Sequence, residues 1–181
     1  MIKPTATLFI VEGGDATLPK VIEGELAVIF HICNDVGAWG RGFVVPLGQR
    51  YPVAKQAYQQ QHPKLLGTCP YASITADLVI VNAIGQHELK TNQLTKEPPI
   101  RYDAVEQTML KSMAAIKQVF GDRKFSYHMP KIGCGLAGGQ WTIIKELIIK
   151  NIVNNGIDVY VTKKCDFFSD LSRNMMFCTA N

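Results

Sequence analysis

Two glycine-rich stretches, each directly after an apolar run, set the fold of this chain. The first is LAVIFHICNDVGAWGRG at residues 26–42, and the second is FSYHMPKIGCGLAGGQW at residues 125–141. A nearly continuous apolar run is typical of a strand that is covered on both faces. The segments that follow, 43–61 and 141–154, have the apolar spacing of helices. Each stretch therefore predicts a strand, a glycine loop and a helix in succession.

The rest of the chain continues this alternation of strands and helices. Further strands are predicted at 7–11, 78–83 and 157–161, and the clearest helix at 101–120. Two prolines interrupt the helix predicted at 43–61, so its first turns are expected to be irregular. Polar residues and a proline pair at 85–100 predict an exposed loop long enough to act as a lid. The pattern predicts an α/β fold with helices on both sides of one sheet.

Length and composition fit one domain at 1–165, with a tail at 166–181 expected to pack on it. The chain has 181 residues, of which 47% are hydrophobic and 19% are charged, which disfavours disorder. A net charge of +4 suits an anionic ligand, but the basic residues form no dense run typical of nucleic-acid binding. Five cysteines without a Cys-x-x-Cys pair, no leader-like start and no membrane-length apolar run predict a reduced cytoplasmic protein without a membrane partner.

The two glycine loops are expected to bind phosphate. Glycine lets backbone N–H groups turn towards a ligand, and a helix N-terminus behind the loop adds partial positive charge. Ligands of α/β sheets bind at the carboxyl ends of strands, where both loops fall. Four glycines between 133 and 139 suit a nest of amides around a phosphate, with a flexible connection as the alternative. Together the loops suit two phosphates or one diphosphate.

In order and spacing these motifs resemble those of macro domains, a family that binds ADP-ribose. Gly14-Asp15-Ala16 resembles the family's contact to the adenine amine, and 31–42 resembles the loop around the distal ribose. Residues 129–136 with Trp141 resemble its diphosphate loop. The resemblance covers 5–162 and implies a three-layer α/β/α fold with a central mixed sheet.

Two branches of that family share features with this chain. Residues 31–42 resemble the yeast-type ADP-ribose 1''-phosphate phosphatases, and 133–136 resemble glycohydrolases that remove ADP-ribose from protein or DNA. Those glycohydrolases use a lysine soon after the middle strand, and residues 81–86 contain none. The protein glycohydrolase also uses an aspartate where this chain has Ala137. Both departures favour a phosphatase-like activity or a binder without chemistry.

The resemblance implies a set of ligand contacts on three segments. Asp15 is expected at adenine, with an Asx-turn as the alternative, and Asn34 at ribose hydroxyls or a water, with a loop-capping role as the alternative. Trp39 is expected either to lie over the sugar or to plug the core. The expected ligand-binding residues are Asp15, Ala16, Cys33, Asn34, Gly40, Arg41, Gly42, Ile132, Gly133, Cys134, Gly135, Leu136 and Ala137.

The catalytic candidates are His31, Asn34 and Asp35, all at the first loop. An imidazole at His31 has the chemistry to attack a phosphate, protonate a leaving oxygen or activate water, and a half-buried structural histidine is its alternative. Asp35 is a reserve general base. The other histidines lack metal-ligand spacing, and no cofactor is expected. Cys134 is expected to fill space rather than act as a nucleophile.

The leading hypothesis is hydrolysis of ADP-ribose 1''-phosphate to ADP-ribose and phosphate. Its rivals are a hydrolase that frees ADP-ribose from an ADP-ribosylated protein or nucleic acid, and a reader of ADP-ribose without chemistry. A third rival, RNA binding by the basic surface, predicts a steep dependence on salt.

Overall fold

The computed structural model describes residues 5–163, so the tail predicted at 166–181 lies outside the described residues. The strands are β1 (Leu8–Glu12), β2 (Leu26–Asn34), β3 (Tyr71–Thr75), β4 (Leu78–Gln86), β5 (Phe125–Pro130) and β6 (Val159–Lys163). The helices are α1 (Val44–Arg50), α2 (Pro52–Gln60), α3 (Tyr102–Phe120) and α4 (Trp141–Asn151), and a 3-10 turn at Val153–Asn155 follows α4.

The six strands form one mixed sheet in the order β1-β6-β5-β2-β4-β3. Every neighbouring pair is parallel except β3 and β4, which are antiparallel. The carboxyl ends of the five parallel strands therefore meet at one edge of the sheet. The loops after β2 and β5 begin there side by side, because these two strands are hydrogen-bonded neighbours.

Helices cover both faces of the sheet, as predicted. On one face, Val28, Phe30 and Tyr127 pack against the apolar sides of α3 and α4. On the other face, Ala27 and Ile29 pack against α1 and α2. Strand β2 is buried along almost its whole length between these layers, which explains its nearly continuous apolar sequence. The α/β/α fold class with a central mixed sheet is confirmed.

Two elements differ from the sequence prediction. Strand β3 was not predicted, because this five-residue edge strand is half exposed and has little apolar patterning. The helix predicted at 43–61 is two helices that meet at Tyr51. Proline at position 52 excludes the helical conformation at the residue before it, and Tyr51 accordingly has φ −129° and ψ 77°.

The predicted exposed loop lies between β4 and α3. Its two ends are joined, since Gln86 bridges Ile100 and the His87 N–H donates to the Pro99 carbonyl at 2.8 Å. Residues 87–97 between these ends are exposed. Within 5–163, no helix is both long and apolar enough to cross a membrane.

Candidate functional site

The loop after β5, here called loop two (131–140), takes its shape from backbone hydrogen bonds. The Gly139 N–H donates to the Gly133 carbonyl at 2.8 Å, and the Gly138 N–H donates to the Gly135 carbonyl at 3.0 Å. A Cβ on Gly139 would lie only 2.6 Å from the Gly133 oxygen, so this turn requires glycine there. The Ala137 carbonyl is also fixed, because it accepts from the Ile100 N–H at 3.0 Å.

These bonds leave a run of loop-two amides available to a ligand. The N–H groups of Gly135, Leu136 and Ala137 have no hydrogen-bond acceptor among residues 5–163. Gly135 and Leu136 are exposed, Leu136 by 62%, whereas Ala137 is buried. Consecutive N–H groups in a glycine turn form a concave site for an anion. Loop two therefore has the donors that a phosphate requires.

The loop after β2, here called loop one (35–43), is organised by the side chain of Asn34. Its Oδ1 accepts from the backbone N–H groups of Val36 at 3.2 Å and Ala38 at 2.9 Å, and its Nδ2 donates to the Ala38 carbonyl at 2.8 Å. The buried Tyr58 hydroxyl lies 2.9 Å from the same Oδ1 and 2.6 Å from the Asn34 carbonyl oxygen. Asn34 thus has the loop-capping role, and its Oδ1 is fully engaged within the protein.

Trp39 packs against core residues beneath loop one, as expected for the plugging role. Its ring contacts His31 edge to face and lies 5.4 Å from Tyr58 between ring centroids. A Cβ on Gly48 would approach the Trp39 Nε1 to 2.5 Å, so helix α1 needs glycine at this point to admit the indole. Aromatic side chains therefore pack together beneath loop one.

On its exposed side, loop one also presents backbone N–H donors. The N–H groups of Gly40, Arg41 and Gly42 have no acceptor in the described part of the chain, and all three residues are exposed. A Cβ on Gly42 would lie 3.8 Å from Leu136 Cδ1, so loop one and loop two approach each other at this point. Two sets of available amides consequently lie near each other at the carboxyl edge of the sheet.

Asp15 lies at the tip of the outer strand β1, and both of its expected roles are compatible with its geometry. Oδ1 accepts from the Thr17 N–H at 2.9 Å and hydroxyl at 2.7 Å, which is the Asx-turn. Oδ2 lies 3.4 Å from the Arg50 guanidinium, and the side chain is 49% exposed. The turn fixes the carboxylate, and its Oδ2 faces Arg50. Ala16 beside it is buried.

His31 is buried in the core, which argues against its predicted catalytic role. Its side chain is on the face of β2 that packs against α1 and α2, and the residue is 1% exposed. Nε2 lies 2.7 Å from Asn82 Oδ1, and Asn82 Nδ2 donates to the Ala54 carbonyl. The Asn82 oxygen therefore faces the ring, so Nε2 carries the proton. Burial lowers the pKa of His31 to about 4, and the ring is neutral at physiological pH.

The two site cysteines have environments that disfavour a thiolate. Cys33 is 2% exposed, and burial raises the pKa of its thiol well above the ordinary value. Burial also raises the pKa of Cys134, whose thiol donates to the Ile132 carbonyl at 3.3 Å. A thiol is a weak nucleophile compared with a thiolate. Cys134 fills space, as the sequence suggested, and Ile132 beneath it is buried.

Sequence analysis missed a contact between Asp35 and His87. Asp35 Oδ2 lies 2.6 Å from His87 Nδ1, and Oδ1 accepts from the Glu88 N–H at 2.8 Å. The two residues are 52 positions apart, and they meet because β2 and β4 are paired up to Asn34 and Gln86. No local spacing in the sequence signals such a pair. Among residues 5–163, no three His, Cys, Asp or Glu residues cluster as metal ligands would.

The fold and the paired amide loops define a class of three-layer α/β protein with two sets of available backbone amides at the strand tips. A macrodomain protein from Streptomyces coelicolor has this fold, with 30% identity and a TM-score of 0.69 over 86% of this chain and 98% of that one. A chromodomain-helicase-DNA-binding protein 1-like from Mus musculus is 31% identical over 82% of the chain. An ADP-ribose 1''-phosphate phosphatase from Candida albicans is 24% identical over 82% of the chain and 96% of its own length.

The chain therefore belongs to the macrodomain family. It spans 17% of the length of the mouse relative and nearly all of the Candida relative. No family model matches the sequence.

Proposed function

We propose that this macrodomain binds ADP-ribose and hydrolyses ADP-ribose 1''-phosphate to ADP-ribose and phosphate. The observation that carries the proposal is the meeting of two sets of available amides, at Gly40–Gly42 and Gly135–Ala137, where Gly42 approaches Leu136. Hydrogen bonds from amides to phosphate oxygens are charge-assisted and therefore stronger than those to neutral acceptors. The phosphatase activity is supported by the name and full-length alignment of the Candida relative.

The order of the strands supports one orientation of the bound nucleotide across the sheet. Asp15 follows β1 at one side of the sheet, loop two follows β5, and loop one follows β2 beside it. In this proposal the half-exposed Asp15 carboxylate accepts from the adenine amine, and the diphosphate lies between the two loops. The distal ribose and its terminal phosphate then lie at the tips of β2 and β4. Catalysis of phosphoryl transfer depends mainly on such positioning and on charge stabilisation.

Two measurements test the proposal. Titration calorimetry with ADP-ribose is expected to give a dissociation constant in the micromolar range or tighter, with adenosine binding far more weakly because it lacks the diphosphate. Incubation with ADP-ribose 1''-phosphate is expected to release inorganic phosphate. Parallel incubations with ADP-ribosylated protein and ADP-ribosylated DNA are expected to release little free ADP-ribose. If the protein binds ADP-ribose but releases no phosphate, it is a reader of ADP-ribose without enzymatic activity, and the proposed phosphatase activity is contradicted.

A His31→Ala variant tests whether that residue takes part. Because His31 is buried beneath Trp39, we expect the variant to lose stability but to keep its phosphate-release rate per folded molecule. A rate that collapses while ADP-ribose binding stays intact would restore His31 to the mechanism.

A further inference from the structure

We propose that His87 is the general base of this site and that Asp35 positions it. This inference rests on the proposed phosphatase function. Asp35 is thereby reassigned from a base to a positioning residue.

The geometry of the pair is that of an oriented imidazole. Both oxygens of Asp35 are engaged, Oδ2 with His87 Nδ1 and Oδ1 with the Glu88 N–H, and the carboxylate is only 15% exposed. The His87 side chain is 46% exposed. A carboxylate accepts hydrogen bonds but cannot donate them, so it fixes the Nδ1 proton and leaves Nε2 as an acceptor. The ring is thus hydrogen-bonded at Nδ1, while Nε2 lies 4.0 Å from Glu88 Oε1, which is beyond hydrogen-bond distance.

The backbone around His87 connects it to both amide loops. The Asp35 N–H donates to the Gln86 carbonyl at 3.0 Å, which ties the start of loop one to the end of β4. The His87 N–H is bonded to Pro99, and the next residue, Ile100, donates to Ala137 of loop two. Backbone hydrogen bonds thus link His87 and its neighbours to the start of loop one at Asp35 and to loop two at Ala137.

The strand order places this pair at the end of the nucleotide away from adenine. From β1, which precedes Asp15, to β4, which precedes His87, there are four steps across the sheet. At the usual spacing of paired strands, four steps span about 19 Å. An extended nucleotide with adenine at Asp15 and its diphosphate at β5 and β2 brings its distal ribose to β4. The phosphate ester bond to be broken and the imidazole therefore lie at the same end of the bound nucleotide.

The proposed step is hydrolysis of the phosphate ester on the distal ribose. His87 Nε2 accepts a proton from water as the water oxygen bonds to phosphorus, and the bond from phosphorus to the ribose oxygen breaks. The departing ribose oxygen takes a proton from the imidazolium, which returns the ring to its neutral form. One water is consumed, and one ribose hydroxyl and one inorganic phosphate are formed. Asp35 stabilises the imidazolium between these two transfers.

The experiment compares wild type, His87→Ala, Asp35→Asn and the control His62→Ala, which alters an exposed histidine outside both loops. We expect His87→Ala to lower kcat for phosphate release about 100-fold, the usual scale for loss of a general base. ADP-ribose affinity should stay within about threefold because no amide is removed. In Asp35→Asn the Glu88 N–H retains the side-chain oxygen, so the amide NH₂ faces His87 and favours the wrong tautomer. We expect a comparable fall in kcat with little change in KM.

Rescue of activity by added imidazole distinguishes a general base from a residue with only a structural role. It is expected to restore part of the His87→Ala rate and none of the Asp35→Asn rate, while His62→Ala behaves as wild type. Normal kcat in His87→Ala with intact ADP-ribose binding would overturn the assignment and leave the proposed function standing. A loss of ADP-ribose binding in His87→Ala would also overturn it, since the pair would then be a structural link. Wild-type protein that neither binds ADP-ribose nor releases phosphate would overturn both proposals.

Discussion

Loop one and loop two present the same kind of surface, but they are built in opposite ways. Loop one is held by side chains: Asn34 caps it and Trp39 supports it from below. The turn of loop two is closed by its own backbone, where the Gly139 N–H donates to the Gly133 carbonyl, and the Tyr102 hydroxyl accepts from the Gln140 N–H at the end of the loop. The difference predicts opposite sensitivities. Loop one should fail when polar atoms are removed, and loop two should fail when a methyl group is added.

The largest effect is expected from Gly139→Ala. Its Cβ would lie 2.6 Å from the Gly133 oxygen, a backbone atom that cannot move without opening the turn. We expect ADP-ribose affinity, measured by calorimetry, to fall at least about 100-fold, equivalent to losing one or two charge-assisted hydrogen bonds. The matched control is Gly40→Ala in loop one, where a Cβ meets nothing within 4 Å. Equal losses in the two variants would contradict the contrast between the loops.

Asn34→Ala is expected to have the next largest effect. It removes the acceptor of the Val36 and Ala38 amides and a partner of the buried Tyr58 hydroxyl. We expect the free energy of unfolding to fall by about 1–3 kcal/mol and ADP-ribose affinity by about tenfold. Urea unfolding and calorimetry measure the two effects.

Tyr58→Phe is the control for that variant, because it removes one hydroxyl and leaves the loop amides capped. Its loss of affinity should be clearly smaller than that of Asn34→Ala. If Asn34→Ala lost affinity without any loss of stability, direct ligand contact would replace loop capping as the role of Asn34.

A smaller effect is expected on acid stability, because each loop follows a strand that contains a buried histidine. Burial lowers the pKa of both His31 in β2 and His128 in β5 to about 4, from an ordinary value of 6.5. Between these values the unfolded chain binds protons that the folded chain does not, so the free energy of unfolding falls as pH falls from 6.5 to 4.

His128→Phe tests that pH dependence while keeping an aromatic ring stacked on Tyr160. Because the variant removes one of the two histidines, the decrease in the free energy of unfolding across this pH range should be about half of that in wild type. Urea unfolding at several pH values within the window measures this. An unchanged slope would mean that His128 is not the titrating group.

The smallest effect is expected from Arg50→Ala. The guanidinium and the Asp15 carboxylate are 41% and 49% exposed, and pairs of this kind contribute little in water. Since Thr17 still holds Oδ1, we expect ADP-ribose affinity to fall by no more than about fivefold. Asp15→Asn, which replaces one carboxylate oxygen with an NH₂ group, should cost more. The reverse order would assign the adenine contact to Arg50 instead.

Features that depend on neighbouring residues could be predicted from the sequence. The apolar run at 26–32 predicted the central strand, and the glycines at 133–139 predicted a tight loop after β5, because strand burial and backbone freedom leave local signatures. Strand β3 was missed because its stabilisation comes from pairing with β4 and leaves little trace in its own residues.

Features that depend on distant contacts could not be predicted. His31 looked like a residue of loop one, but its partner Asn82 is 51 positions away and holds it in the core. The Asp35–His87 pair has a similar separation, and only the register of β2 against β4 brings it together. The type of a residue at a strand tip is visible in sequence, whereas the direction of its side chain is set by the neighbouring strand.

The exposed amides of the two loops have a practical consequence for thermal stability. A ligand that binds only the folded state raises the free energy of unfolding by about 2.7 kcal/mol at a concentration 100 times its dissociation constant. The melting temperature of this protein should therefore rise with the affinity of the bound ligand. A panel of adenosine, ADP, ADP-ribose and ADP-ribose 1''-phosphate, scored only by the shift in Tm, would rank how much of each molecule the protein engages before any reaction is assayed.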